Sequence, residues 1–188
     1  MPITVRGNYP VVLDADVLAH YLVWRLIMTL AEEPAFLLPR WSPRIASEAR
    51  HVYLSKFGET WTESRVARLF EQMELAFPEA LVSVPEEQAA PRLALADDRH
   101  VVWCALVAQA QTILTYNVRH YPEAILTNWN LEARTPDQYL LTLLDHHEAR
   151  FIDRFRRFSE DVNCTPNDIL AKLSVSLPHV SRAIPDRL

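Results

Sequence analysis

Five carboxylates stand where this chain could do chemistry. Asp14 follows the apolar run 9–13 (YPVVL), and Asp16 lies two residues on. Glu48 falls six residues after Ser42, and Asp97 with Asp98 opens a strongly apolar stretch. Carboxylates gathered without balancing lysines repel one another, so a cation relieves the cost of such a cluster. An all-oxygen donor set selects hard ions, Mg²⁺ or Mn²⁺, over zinc. Each acid also has a plain structural reading. Asp97 or Asp98 could cap a helix, and Glu48 could be a solvated helix residue. Asp14, directly after a buried β-branched run, is harder to explain that way.

The elements that must position these acids are legible from apolar spacing. Residues 9–13 read as a buried parallel strand ending at Asp14. Leu18, Leu22, Leu26 and Leu30 recur every four residues and predict a helix over 17–31. A second strand is expected at 36–38. Ser42 and Pro43 then supply a cap and a first-turn proline for a helix reaching Phe57, which Gly58 ends. Thr62 opens a helix whose inner face is Val66, Leu69, Phe70, Met73 and Phe77. Further strands are expected at 80–84, 112–115 and 131–134, with a helix from Asp97–Asp98 to near Gln109 between the first two. Strands alternating with helices of this length define an α/β sandwich around a parallel sheet. Ligands in such sheets sit at the strands' carboxyl ends. Right-handed crossovers bring the start of the Asp97–Asp98 helix to that same edge. Beyond residue 135 the pattern is all-helical, with caps at Thr135–Pro136 and Thr165–Pro166. That tail has too little apolar material for its own core, so 135–188 is expected to pack as a helical extension onto 1–134.

Composition narrows the function classes. Gly7 and Gly58 are the only glycines among 188 residues, so no glycine-rich phosphate cradle can be written, and Rossmann or P-loop nucleotide binding is excluded. The same lack removes the GxSxG elbow of serine hydrolases. Cys104 and Cys164 form no metal-binding spacing, and Cys104 reads as a buried thiol. His146 and His147 are adjacent and point apart on a helix, and His100 reads as a core histidine. The start of the chain lacks a signal pattern and no 18-residue apolar run exists, which points to a cytoplasmic protein with no membrane span. With 19 basic and 24 acidic side chains the net charge is −5, against a nonspecific nucleic-acid coat. The excess is not spread evenly. Residues 1–133 carry 16 acidic against 11 basic side chains, whereas 134–188 are balanced at 8 each.

Four segments, in order, resemble the PIN domain, the metal-dependent nuclease fold of VapC-type toxins. They are VVLDADVL (11–18), WSPRIASE (41–48), DRHVVWCA (98–105) and TYNVRHYP (115–122). The second resembles a subgroup motif of tryptophan, serine and an acid six residues later, and Arg25 falls where that subgroup carries an arginine. The resemblance covers about residues 9–140. It implies a Rossmannoid three-layer α/β/α sandwich with Asp14, Glu48 and Asp98 as catalytic, metal-binding acids. Asn117 joins them in catalysis, and Asp16, Asp97, Arg25, Thr115 and His120 are supporting residues. The implied activity is hydrolysis of RNA phosphodiesters with Mg²⁺ or Mn²⁺, in the toxin of a type II toxin–antitoxin pair. Its partners would be RNA, a cognate antitoxin and a second copy of the chain. One departure stands out: relatives place an acid at the position of Asn117 or His120, and neither is acidic here. That leaves open a weakened, PIN-like binding or scaffold module, or a nuclease acting on another nucleic acid.

One further stretch bears on substrate. In 149–158 (ARFIDRFRRF), Phe151, Phe155 and Phe158 form one helical stripe and Arg150, Arg154 and Arg157 a neighbouring one. The arginines read either as a solvated flank, as a rail that holds RNA phosphates beside the acids, or as part of a dock for a partner helix or acidic antitoxin tail.

Overall fold

A computed structural model of the chain describes residues 9–58, 60–85 and 98–187. Four parallel strands form its sheet: β1 (Pro10–Leu13), β2 (Leu38–Arg40), β3 (Thr112–Leu114) and β4 (Glu132–Arg134), in the order β2-β1-β3-β4. The registers pair Val11 with Pro39 on one side and with Thr112 on the other, and Ile113 with Ala133. β1 and β3 are buried along almost their whole length, as apolar runs in a doubly covered parallel sheet must be. Helices α1 (Ala15–Leu18) and α2 (Tyr21–Ala31) join β1 to β2. Helices α3 (Pro43–Phe57), α4 (Glu63–Ala76) and α5 (Arg99–Val107) lie between β2 and β3. The path from β1 to β2 steps one way across the sheet and that from β2 to β3 the other. Because α3 and α4 lead on outward to the Leu81 bridge beside Trp41 before the chain returns to β3, right-handed crossovers put α1–α4 on one face, where Tyr53 of α3 meets Leu18 and Trp24, and α5 on the other. The reversal leaves a crevice between the carboxyl ends of β1 and β3, the usual ligand position in such sheets.

A short helix α6 (Glu123–Leu126) leads to β4, and the rest of the chain is helical: α7 (Pro136–His146), α8 (Glu148–Asp161), α9 (Pro166–Leu173) and α10 (Pro178–Ala183). α8 rests on α2, and α7 lies against α8 and α10. Phe151, Phe155 and Phe158 are fully buried and join the sheet's apolar residues in one continuous core. Among the described residues no helix is long and apolar enough to cross a membrane.

The expected elements recur with three differences. The helix expected over 17–31 is two helices, because His20 leaves helical geometry at φ −96°, ψ 83°. Tyr53 donates to the Leu18 carbonyl at 3.1 Å and so closes α1 after one turn. The strand expected at 36–38 is shifted to 38–40. That expected at 80–84 is reduced to one bridge, Leu81 to Trp41, because Leu81 is exposed and the segment lies along the sheet's outer margin. The caps appear as read: Ser42 accepts from the Ile45 amide, and Thr135 and Thr165 each complete a capping box.

Candidate active site

The site is built on the carboxyl ends of β1 and β3. Asp14 extends β1, its own amide donating to Leu114 of β3 at 3.0 Å. Its Oδ1 caps α1 through the Ala15 amide at 2.7 Å, and its Oδ2 accepts from the Tyr121 hydroxyl at 2.9 Å. Two residues on, in the first turn of α1, Asp16 reaches the turn that follows β3. There its Oδ2 accepts three hydrogen bonds from consecutive residues: the Thr115 hydroxyl (3.2 Å), the Tyr116 amide (2.9 Å) and the Asn117 side-chain amide (3.1 Å). The Asn117 backbone amide donates in turn to Thr115 Oγ1 at 3.0 Å. Asp16, Thr115 and Asn117 are thus one hydrogen-bonded unit, about a hundred residues apart in sequence.

The other acids come from the flanking helices. Asp98 sits at the α5 N-terminus but makes no side-chain cap bond, and its Oδ2 lies 3.2 Å from His120 Nδ1. Glu48, on α3, meets Arg44 at 3.1 Å and His100 Nε2 at 3.1 Å. Asp97 lies outside the described residues. Arg25 does not reach the acids. It donates to Tyr21 Oη at 3.3 Å and its guanidinium lies over that ring.

The charges of three acids reach Tyr121. The Tyr121 phenol is held far above its ordinary value, by burial first and then by the charges of Asp14, Asp98 and Asp16. It stays protonated and donates to Asp14. Burial, then the Asp14 charge, pushes the Asp16 carboxyl up to about 7, against its hydrogen bonds to the Tyr116 amide and Thr115 hydroxyl. Partial burial pushes Glu48 up, but the contacts with His100 and Arg44 outweigh it and leave its carboxyl below the ordinary value.

The residues fit a hard cation in donor chemistry. Asp16 Oδ1 is buried with no hydrogen-bond partner, an orphaned carboxylate oxygen inside a cluster of acids. A cation or its water compensates such an atom. The ligand set is not drawn together, however: among the described residues no three His, Cys, Asp or Glu side chains are grouped to hold an ion. Asp14, Glu48 and Asp98 are each turned onto a protein partner instead.

The arginine stripe is corrected. The 32–37 loop it binds joins α2 to β2 at the amino ends of the strands, the edge opposite Asp14. Arg154, 5% exposed, donates to Glu32 Oε2 and to the Glu32 and Glu33 carbonyls, and Arg157 pairs with Glu32 at 3.0 Å. Arg150 donates to the Pro34 carbonyl and covers the Phe36 ring. The stripe clamps α8 to the end of α2, and no phosphate rail runs beside the acids.

Several site residues escaped the sequence reading. Tyr121 was visible only as part of the 115–122 segment. Arg44 had a signal, the i,i+4 spacing to Glu48. His100 is a buried histidine, as read, but its Nε2 also holds Glu48.

Comparison with known proteins reaches only part of the chain. No family model matches the chain, and no solved structure matches it. Over 51 residues, 27% of the chain, it is 39% identical to a protein of Mycobacterium tuberculosis (strain ATCC 25618 / H37Rv) named "Putative ribonuclease VapC50". The matched part spans 30% of that relative's length.

The Asp16 carboxyl yields a stability test. Its folded pKa lies above the unfolded one, so the folded state loses relative stability as pH rises from about 4 to 7. Asp16→Asn keeps an acceptor for the same donors and removes this cost. In EDTA at pH 8 the variant should be more stable by about 1–2 kcal/mol, a gain that fades below pH 4. Urea melts across that range measure it.

Proposed function

We propose that the chain is a Mg²⁺- or Mn²⁺-dependent endoribonuclease of the PIN type, acting as the toxin of a type II toxin–antitoxin pair. The observation that carries the reading is the convergence of Asp14, Asp16 and Asp98 around Tyr121 in the crevice between β1 and β3. The partial likeness to a relative named a ribonuclease supports RNA as the substrate. Asp14, Glu48 and Asp98 would hold the ion. When bound, it polarises the scissile phosphate and lowers the pKa of its water. The chain's own residues do the rest. Tyr121 orients Asp14, His120 orients Asp98, and His100 with Arg44 orients Glu48. Asn117 spends its amide N–H on Asp16 and keeps its carbonyl oxygen to align a water. As the PIN resemblance implies, water would add to the phosphorus as the bond to the 3′-oxygen breaks, leaving a 5′-phosphate and a 3′-hydroxyl.

RNA cleavage that stops in EDTA and returns with excess Mn²⁺ tests the reading. Cleavage that persists at full rate in EDTA overturns the metal dependence. An adjacent gene for a small DNA-binding protein that blocks the activity supports the toxin role, a cytoplasmic one.

A second reading, a PIN-like module that does not cleave, is favoured by two observations. The acid that the PIN resemblance implies at the position of Asn117 or His120 is absent, and the three carboxylates are engaged by protein partners. Well-folded protein that leaves RNA intact at millimolar Mn²⁺ selects it.

A further inference from the structure

The helical tail makes a polar contact beside the acid site. Between α9 and α10, the Ser176 hydroxyl lies 2.6 Å from His20 Nε2. The His20 ring packs against the Tyr116 ring, centroids 5.7 Å apart. The buried Tyr116 hydroxyl has no formed hydrogen bond, yet it faces the same serine oxygen. Ser176 can give its proton to His20 and accept one from Tyr116.

Tyr116 is the middle of the three residues that hold Asp16. Its backbone amide donates to Asp16 Oδ2, and its neighbours Thr115 and Asn117 supply the other two hydrogen bonds. Fixing the Tyr116 ring therefore fixes the whole turn. The serine itself stands on a rigid base. Leu177, Val180 and Ile184 are fully buried. Asp137 at the start of α7 accepts from the His179 and Val180 amides and from His179 Nδ1. His20, for its part, is where α1 ends and α2 begins, so it is set by the strand that carries Asp14.

We propose that Ser176 is a positioning residue of the acid site: through His20 and Tyr116 the C-terminal helices hold the 115–117 turn against Asp16. The inference rests on the nuclease reading for its catalytic consequence, and on geometry alone for the link itself.

Ser176→Ala in the full chain tests it. The variant is expected to lose about tenfold in kcat on RNA with KM within twofold, and to melt within a few degrees of the parent. Ser176→Thr, which keeps the hydroxyl, should restore kcat. In ¹⁵N spectra the Tyr116 and Asn117 amides should move in the alanine variant and return in the threonine one. His20→Gln, breaking the link from its other end, should give the same kcat loss if Ser176→Ala fails to fold. Unchanged kcat with unmoved Tyr116 and Asn117 resonances in folded protein overturns the proposal. A parent chain that never cleaves RNA, with those resonances still moving, overturns the nuclease reading and leaves the link standing.

Discussion

Replacing Asp14 by asparagine should lower RNA cleavage by about a thousandfold or more, equivalent to about 4 kcal/mol of transition-state stabilisation. The fold should survive the change. Asparagine keeps an oxygen for the Ala15 amide, so the α1 cap persists. It also removes one of three charges crowded around Tyr121, which offsets a weaker bond from that phenol. The expected signature is thus separation: activity gone, melting temperature unchanged or raised. A variant that melts early would mark Asp14 as structural. One that cleaves at the parental rate would remove it from the site. Asp98→Asn should behave alike, since that carboxylate meets His120 and does not cap α5.

Arg154→Ala should do the opposite, destabilising the protein by about 2–4 kcal/mol while leaving the rate per folded molecule intact. Arg154 is buried and makes three hydrogen bonds to Glu32 and Glu33, two of them to backbone carbonyls. Truncation strands those carbonyls and opens space between α8 and the end of α2. Arg157 remains on Glu32, which limits the loss. Urea unfolding gives the stability, and RNA binding at several salt concentrations gives the other half. An unchanged salt slope accords with a clamp at the sheet's amino edge, whereas a shallower slope would return Arg154 to the RNA interface.

The contrast between these two residues shows what the sequence can carry. Asp14 was legible because a buried strand followed by an acid is a local pattern, and Ser42–Pro43 or Thr135–Pro136 were legible because caps are local too. The alternating apolar runs fixed an α/β architecture before any contact was known. The stripe of Arg150, Arg154 and Arg157 was equally visible as spacing, but spacing does not say which edge of the sheet a helix reaches. Only the packing of α8 on α2 decides that. The bonds from Thr115 and Asn117 to Asp16 join residues about a hundred positions apart. No local signal announces them. Tyr121 was hidden for the same reason. The strand expected at 80–84 failed because alternating apolar residues describe a half-buried margin as well as a paired strand.

Calorimetric titration of the metal-free full chain with Mn²⁺ reaches the central claim without any substrate. The expected result is saturable binding below millimolar ion, lost in Asp14→Asn and Asp98→Asn variants that remain folded. Folded parent protein that takes up no Mn²⁺ at millimolar concentration, or variants that bind it as the parent does, would contradict a metal site built on these acids.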